Sequence, residues 1–157
     1  MELREYHPTE GSLVCSWLAE ETAFEYWSAG QLGPFPLTAK QLTGFYAKQQ
    51  GVVLMAEENS RPVGQLLFQK VSPTQVHLGF VVVDPECRGK GLGKRLIQLA
   101  LEQAATLGAT EVTIGVFAEN LAARKCYESL GFVQQGQTTR PLRGTAQPYL
   151  ELNYLLT

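Results

Sequence analysis

Apolar residues change their spacing several times along the chain, and each change marks an element. LREY (3–6) reads as an edge strand. Between Thr9 and Ala19, Leu13, Val14, Trp17 and Leu18 recur at helical spacing, with Thr9 as the expected cap. From Glu20 to Pro36, Phe24, Tyr26, Trp27 and Phe35 are mixed with Gly30, Gly33, Pro34 and Pro36, which predicts an irregular segment. Thr38 is placed to cap a helix reaching about Gln50.

Three runs rich in apolar and β-branched residues follow: VVLMAEE (52–58), VGQLLFQKV (63–71) and QVHLGFVVVD (75–84). Breaks at Asn59–Pro62 and Ser72–Pro73 make them an antiparallel meander. The third ends in Val81, Val82 and Val83, an unbroken apolar stretch of the kind buried on both faces. From Leu92 onward, Leu96, Ile97, Ala100, Leu101, Ala104 and Leu107 form one stripe, and Gly108 supplies the stop. EVTIGVF (111–117) is the next strand, Asn120 stands at a cap position, and Leu121–Leu130 forms a helix closed by Gly131. A strand, a helix and a further strand in that order imply a right-handed crossover between parallel neighbours. The tail reads as a strand near Phe132–Gln135, a loop over 138–148 and a last strand, YLELNYLL. The sum is an α/β (α+β) fold: a mixed sheet with helices on both faces.

At 157 residues the chain has the length of one domain, expected to span 1–157. A formal charge of -2 lacks the basic excess of a general nucleic-acid binder. Apolar runs are too short to span a membrane, and no secretory leader follows Met1, so a cytoplasmic location is expected. Cys15, Cys87 and Cys126 are odd in number and far apart, and with His7 and His77 they form no metal-ligand spacing, so free thiols and no metal are expected.

Against that neutral background stands CRGKGLGKRL (87–96), in which residues 88–95 hold four of the chain's 13 cations. A glycine turn between strand and helix exposes backbone N–H groups where the helix dipole favours an anion. Lys94 and Arg95 in the first turn oppose that dipole, at about 0.3–1 kcal/mol each, unless something negative offsets them. A Walker A loop fails because Arg88 and Arg95 occupy its Gly and Ser/Thr places, and a dinucleotide GxGxxG fails at Lys94 or Leu96. A phosphate-bearing ligand remains the reading.

VVVDPECRGKGLGKRLI resembles the acyl-CoA-binding motif of the GNAT superfamily of N-acetyltransferases, with Arg88, Gly91 and Gly93 on its core positions. NLAARKCYESLGF (120–132) is similar to the family's second motif. The resemblance implies a mostly antiparallel sheet of about six to seven strands, with a splayed parallel pair at the acyl-CoA site. It implies acetyl-CoA as cosubstrate, its pyrophosphate over Arg88, Gly89, Lys90, Gly91, Leu92, Gly93 and Lys94, and its pantetheine arm beside Val81–Val83, with an N–H of Val81 or Val82 as oxyanion donor.

It further implies Tyr127 as general acid, although helical spacing also allows a core aromatic there. Asn120 is read as a helix cap, a coenzyme contact or both. For the general base, His77, Glu25 and a chain of waters stay open. Glu25 and Trp27 are the candidate acceptor contacts, since acceptor choice in the family comes from segments matching Glu20–Pro36 and Thr138–Pro148. Members that acetylate ribosomal-protein N-termini tend to carry Glu in a pattern like LEVR, where this chain has IGVF with Gly115, which weakens that acceptor class. The implied activity is acetyl transfer to a primary amine. A non-catalytic acyl-CoA sensor and an acyltransferase for longer acyl chains are the alternatives. The apolar last strand is suited to pairing across a homodimer.

Overall fold

The computed structural model describes residues 1–157. Seven strands form one sheet: β1 (Glu2–Glu5), β2 (Val52–Glu58), β3 (Arg61–Lys70), β4 (Gln75–Val83), β5 (Glu111–Phe117), β6 (Val133–Leu142) and β7 (Thr145–Leu155), in the order β1-β2-β3-β4-β5-β7-β6. Every neighbouring pair is antiparallel except β4 and β5.

Period-two side chains divide the sheet into two faces, each with its own helices. On one face lie Leu54, Leu66, Val76, Leu78, Val112 and Ile114, joined by Leu96, Ile97 and Ala100 of α4 (Leu92–Thr106) and Tyr127 of α5 (Leu121–Leu130). On the other, Met55 and Val82 meet Val14 and Trp17 of α1 (Gly11–Trp17), Phe24 and Trp27 of α2 (Glu21–Ser28) and Leu42 of α3 (Ala39–Ala47). Residues such as Leu66, Leu78, Ile97 and Leu42 are fully enclosed, and each such side chain contributes about 1.5–3 kcal/mol by leaving water. No helix is long and apolar enough to cross a membrane.

Local chemistry sets most boundaries. Thr38 Oγ1 accepts from Gln41 N (3.2 Å) while Gln41 Oε1 accepts from Thr38 N (3.0 Å), a reciprocal cap that starts α3. Asn120 Oδ1 accepts from Ala123 N (3.4 Å) at the start of α5, and Gly131, at φ 111°, ends it. Asn59 and Ser60, both at positive φ, make the tight turn between β2 and β3, so Pro62 lies inside a strand, beside a register shift at Ala56/Glu57.

Four expectations are corrected. Thr9 caps nothing: it sits within a 3₁₀ turn, Pro8–Glu10, and α1 begins after it and stops at Trp17. The irregular segment contains α2, held by contacts of Phe24 with Phe35 (5.7 Å) and Trp27 with Phe80 (5.2 Å) and ended by Ala29 and Gly30 at positive φ. The loop assigned to 138–148 is a long hairpin, β6 to β7, turning at Arg143 and Gly144, both at positive φ. Its proline at 141 is tolerated because β6 is an edge strand. Finally, β7 lies between β5 and β6, so its edges are already hydrogen-bonded and not free to pair across a dimer.

Candidate functional site

The site begins where β4 and β5 part. They pair only from Gln75–Glu111 to Leu78–Ile114, although β4 runs on to Val83 and β5 to Phe117. The cause is a bulge in β4: against β3 the register jumps from Leu67–Gly79 to Gln65–Val82, and Phe80 takes φ 52°. Such a conformation costs a non-glycine residue about 1–2 kcal/mol. Packing offsets it, since the Phe80 ring meets Trp27 and Phe45 edge-on at 5.2 and 5.0 Å.

A cleft of about 400 Å³ fills the fork, lined among others by Val81, Val82, Val83, Arg88, Asn120 and Tyr127. Tyr127 is nearly buried, its ring 6.1 Å from that of Phe132, and burial pushes its phenol far above its ordinary range. Beside the cleft, Asp84 organises the glycine loop. Its Oδ1 accepts from Glu86 N (3.0 Å), its Oδ2 from Arg61 Nη2 (3.2 Å), and a 3₁₀ turn, Pro85–Cys87, delivers the chain to Arg88. Gly89 (φ 78°) and Gly91 (φ 74°) then turn it into α4, and a Cβ at either would meet nothing within 4 Å, so the outer side of the loop is open. The helix's first inward bond runs from Arg95 N to Gly91 O (3.1 Å), which leaves the N–H groups of Leu92, Gly93 and Lys94 ahead of it, the usual free donors of a helix N-terminus.

Next to the cleft lies a polar cavity of about 300 Å³, lined by Gln75, His77, Thr113, Gln135, Arg140 and Glu151 among others. It shares Trp27, Gly79, Phe80, Ile114, Gly115 and Tyr149 with the cleft, so the two spaces adjoin where the strands splay. Nδ1 of His77 is 2.8 Å from Thr113 Oγ1, while its Nε2 lies toward Gly79, 3.9 Å from where a Cβ there would stand. Burial holds the His77 imidazolium below its usual range; Arg140 adds to this and Glu151 opposes it. The Arg140 guanidinium lies over the Tyr149 ring at 4.8 Å from its centre. Gly115 makes room for Tyr149: any Cβ there would collide with the ring, which accounts for glycine in IGVF.

Of the residues singled out from sequence, Val81–Val83, Arg88, Asn120, Tyr127 and Trp27 line the cleft, and His77 and Trp27 line the polar cavity. Glu25 lines neither; its Oε2 is buried without a hydrogen-bond partner. Thr113, Tyr149 and Glu151 escaped the sequence reading, and Arg140 entered it only as part of the segment Thr138–Pro148. The alternation in TTRPL and TAQPYLE around Arg143–Gly144 was the signal for Arg140, Tyr149 and Glu151, masked by two prolines.

Residues 14–132 match the acetyltransferase (GNAT) family. The chain is 28% identical over 115 residues to the peptidyl-lysine N-acetyltransferase of Salmonella typhimurium, covering 73% of this chain and 72% of that protein. It is 33% identical over 100 residues to N-acetyltransferase family 8 member 3 of Mus musculus, covering 62% of this chain; it spans 43% of that longer relative. Among solved structures, spermidine N-acetyltransferase from Vibrio cholerae, in complex with CoA and spermine, aligns with a TM-score of 0.82 at 20% identity over 98% of this chain and 94% of that one. The ribosomal-protein-alanine N-acetyltransferase from Brucella melitensis aligns at 0.75 and 17% identity over 99% and 100%. At such identities these two establish the fold. A family match across most of the chain, on a sheet that forks beside a glycine loop, shows that the protein belongs to the GNAT acetyltransferase family.

Proposed function

We propose that this chain is an N-acetyltransferase that moves the acetyl group of acetyl-CoA to a primary amine by direct attack in a ternary complex. The observation that carries the reading is the fork itself. It joins a cleft beside the glycine loop to an adjoining polar cavity, the two sharing Trp27, Gly79, Phe80, Ile114, Gly115 and Tyr149, so a thioester in one and an amine in the other can meet where β4 and β5 part. Relatives named for acetylating peptidyl-lysine and spermidine support a primary amine as acceptor.

The residues present suit coenzyme A. Open glycines, unpaired helix N–H groups and the cations Arg88, Lys90 and Lys94 fit a pyrophosphate. The apolar valines fit an extended pantetheine arm. Acetyl-CoA supplies an activated carbonyl: the amine nitrogen bonds to it, the carbon–sulfur bond breaks, and the sulfur leaves as thiolate.

The protein's share is proton handling and charge. His77, kept neutral by its surroundings and braced by Thr113, takes the proton the amine loses. Tyr127, kept protonated by burial, donates to or shares its proton with the departing sulfur. Asp84 N donates to Val63 O on β3 (2.8 Å), and alternation along the strand directs the N–H of Val82 to β3 and that of Val81 into the fork. That orientation supports Val81 over Val82 as the oxyanion donor. The chain is incubated with acetyl-CoA and a panel of primary amines while free thiol is followed. Amine-dependent thiol release is expected; tight coenzyme binding with no release on any amine would overturn the reading in favour of a sensor.

A further inference from the structure

Arg140 is out of keeping with the other arginines. Arg4 lies between Glu10 and Glu57 (2.6 Å each), Arg61 reaches Asp84 and Glu86, Arg124 reaches Glu128, and Arg143 reaches Glu119. Arg88 belongs to the glycine loop and Arg95 to the first turn of α4 that follows it. Arg140 alone, away from that loop, has no carboxylate within 4.0 Å, and its Nε is shielded from solvent with no acceptor. The indole Nε1 of Trp27, which lines the same cavity, is also buried without an acceptor. Both unmet groups are donors. A buried donor left unpaired costs about 1–3 kcal/mol, more when charged, so the cavity lacks an acceptor that its occupant would bring.

We propose that the acceptor is a compact primary amine carrying a carboxylate, which Arg140 binds in the polar cavity. This rests on the acetyl-transfer reading of the site. A guanidinium presents a planar fork of donors that matches a carboxylate with two parallel hydrogen bonds, and the Tyr149 ring beneath it fixes the plane. Glu151, exposed at the edge of the cavity and unpaired with Arg140, complements the ammonium of the arriving amine. A cation and an anion set apart around about 300 Å³ suit a small zwitterion better than an extended polycation. The acceptor's carboxylate also cancels the Arg140 field that disfavours protonation of His77, so the base strengthens as the acceptor seats.

The test uses matched pairs: common L-amino acids and their primary amides, each with acetyl-CoA. The amide's amine is the weaker base and more often neutral, so intrinsic reactivity favours the amide and any preference for the acid comes from binding. For the best acceptor, the acid is expected to exceed its amide in kcat/KM by roughly 10- to 100-fold, the fold-change carried by a hydrogen bond to a charged group. Arg140→Gln should bring that ratio close to one through the KM of the acid, and Arg140→Lys should restore part of it. A ratio at or below one in the native protein, or an unaltered ratio in Arg140→Gln, overturns the proposal. Calorimetric titration of the same pairs into the coenzyme A complex separates it from the activity. Thiol release without acid preference leaves acetyl transfer standing and removes the carboxylate, whereas tighter binding of acids with no release on any amine removes the transfer.

Discussion

Tyr127 and His77 reach opposite protonation states for one physical reason, because burial disfavours whichever form is charged. The phenol stays protonated and the imidazole stays neutral, the pairing that an acid on the thiol side and a base on the amine side require. Tyr127→Phe should lower kcat by about 10²-fold or more, with the coenzyme dissociation constant from calorimetry little changed; an unchanged kcat would remove Tyr127 from the chemistry. For His77 the sign follows from its lowered pKa. Only the neutral ring accepts a proton, so kcat/KM, expressed per neutral amine, should rise with pH along a limb lying below about 6.5 and be level above it. His77→Gln should abolish that limb as well as slow the reaction. Stability should follow the same direction: below about pH 6.5 the unfolded chain binds a proton that the folded chain resists, so stability is lost as pH falls, with a slope absent in His77→Gln on denaturant titration. Burial sets this window first, Arg140 lowers it further and Glu151 opposes both, while Thr113 holds the ring by its hydrogen bond.

The glycine loop and α4 are among the elements the sequence described well, because their signals are local. Glycines at 89 and 91 meet positive φ, and one apolar stripe fixes the buried face of the helix. Gly91→Val should destabilise the protein by about 1–2 kcal/mol on denaturant titration, the cost of φ 74° for a residue with a Cβ. It should also abolish coenzyme binding; calorimetry at the original affinity would refute the loop's role. Two other elements were misread, each for its own reason. The eight residues of α2 bury Phe24 and Trp27 against rings from distant parts of the chain, a source of stability that propensity does not register. The hairpin from β6 to β7 turns on Arg143–Gly144, not on the usual Asn-Gly, and carries prolines that read as loop.

Across the fold, a ligand bound only by the native state adds its binding free energy to stability. Coenzyme A at 100 times its dissociation constant should raise the unfolding free energy by about 2.7 kcal/mol, seen as a higher Tm, and Gly91→Val should show no such rise. The sequence by itself determined the order of elements around the loop, the parallel crossover and the glycine turn into α4, because those depend on residues close together in the chain. Only the tertiary structure decided which side chains share the polar cavity. A bulge at Phe80 reverses the alternation of β4, so that His77 and Val82 lie on one face and Val81 and Val83 on the other. A second register shift, between Gln134 and Gly136, reverses β6 and turns Arg140 to the side of His77 and Glu151. One extra residue in a strand exchanges its faces, and the pairing that absorbs that residue belongs to neighbours far away in sequence.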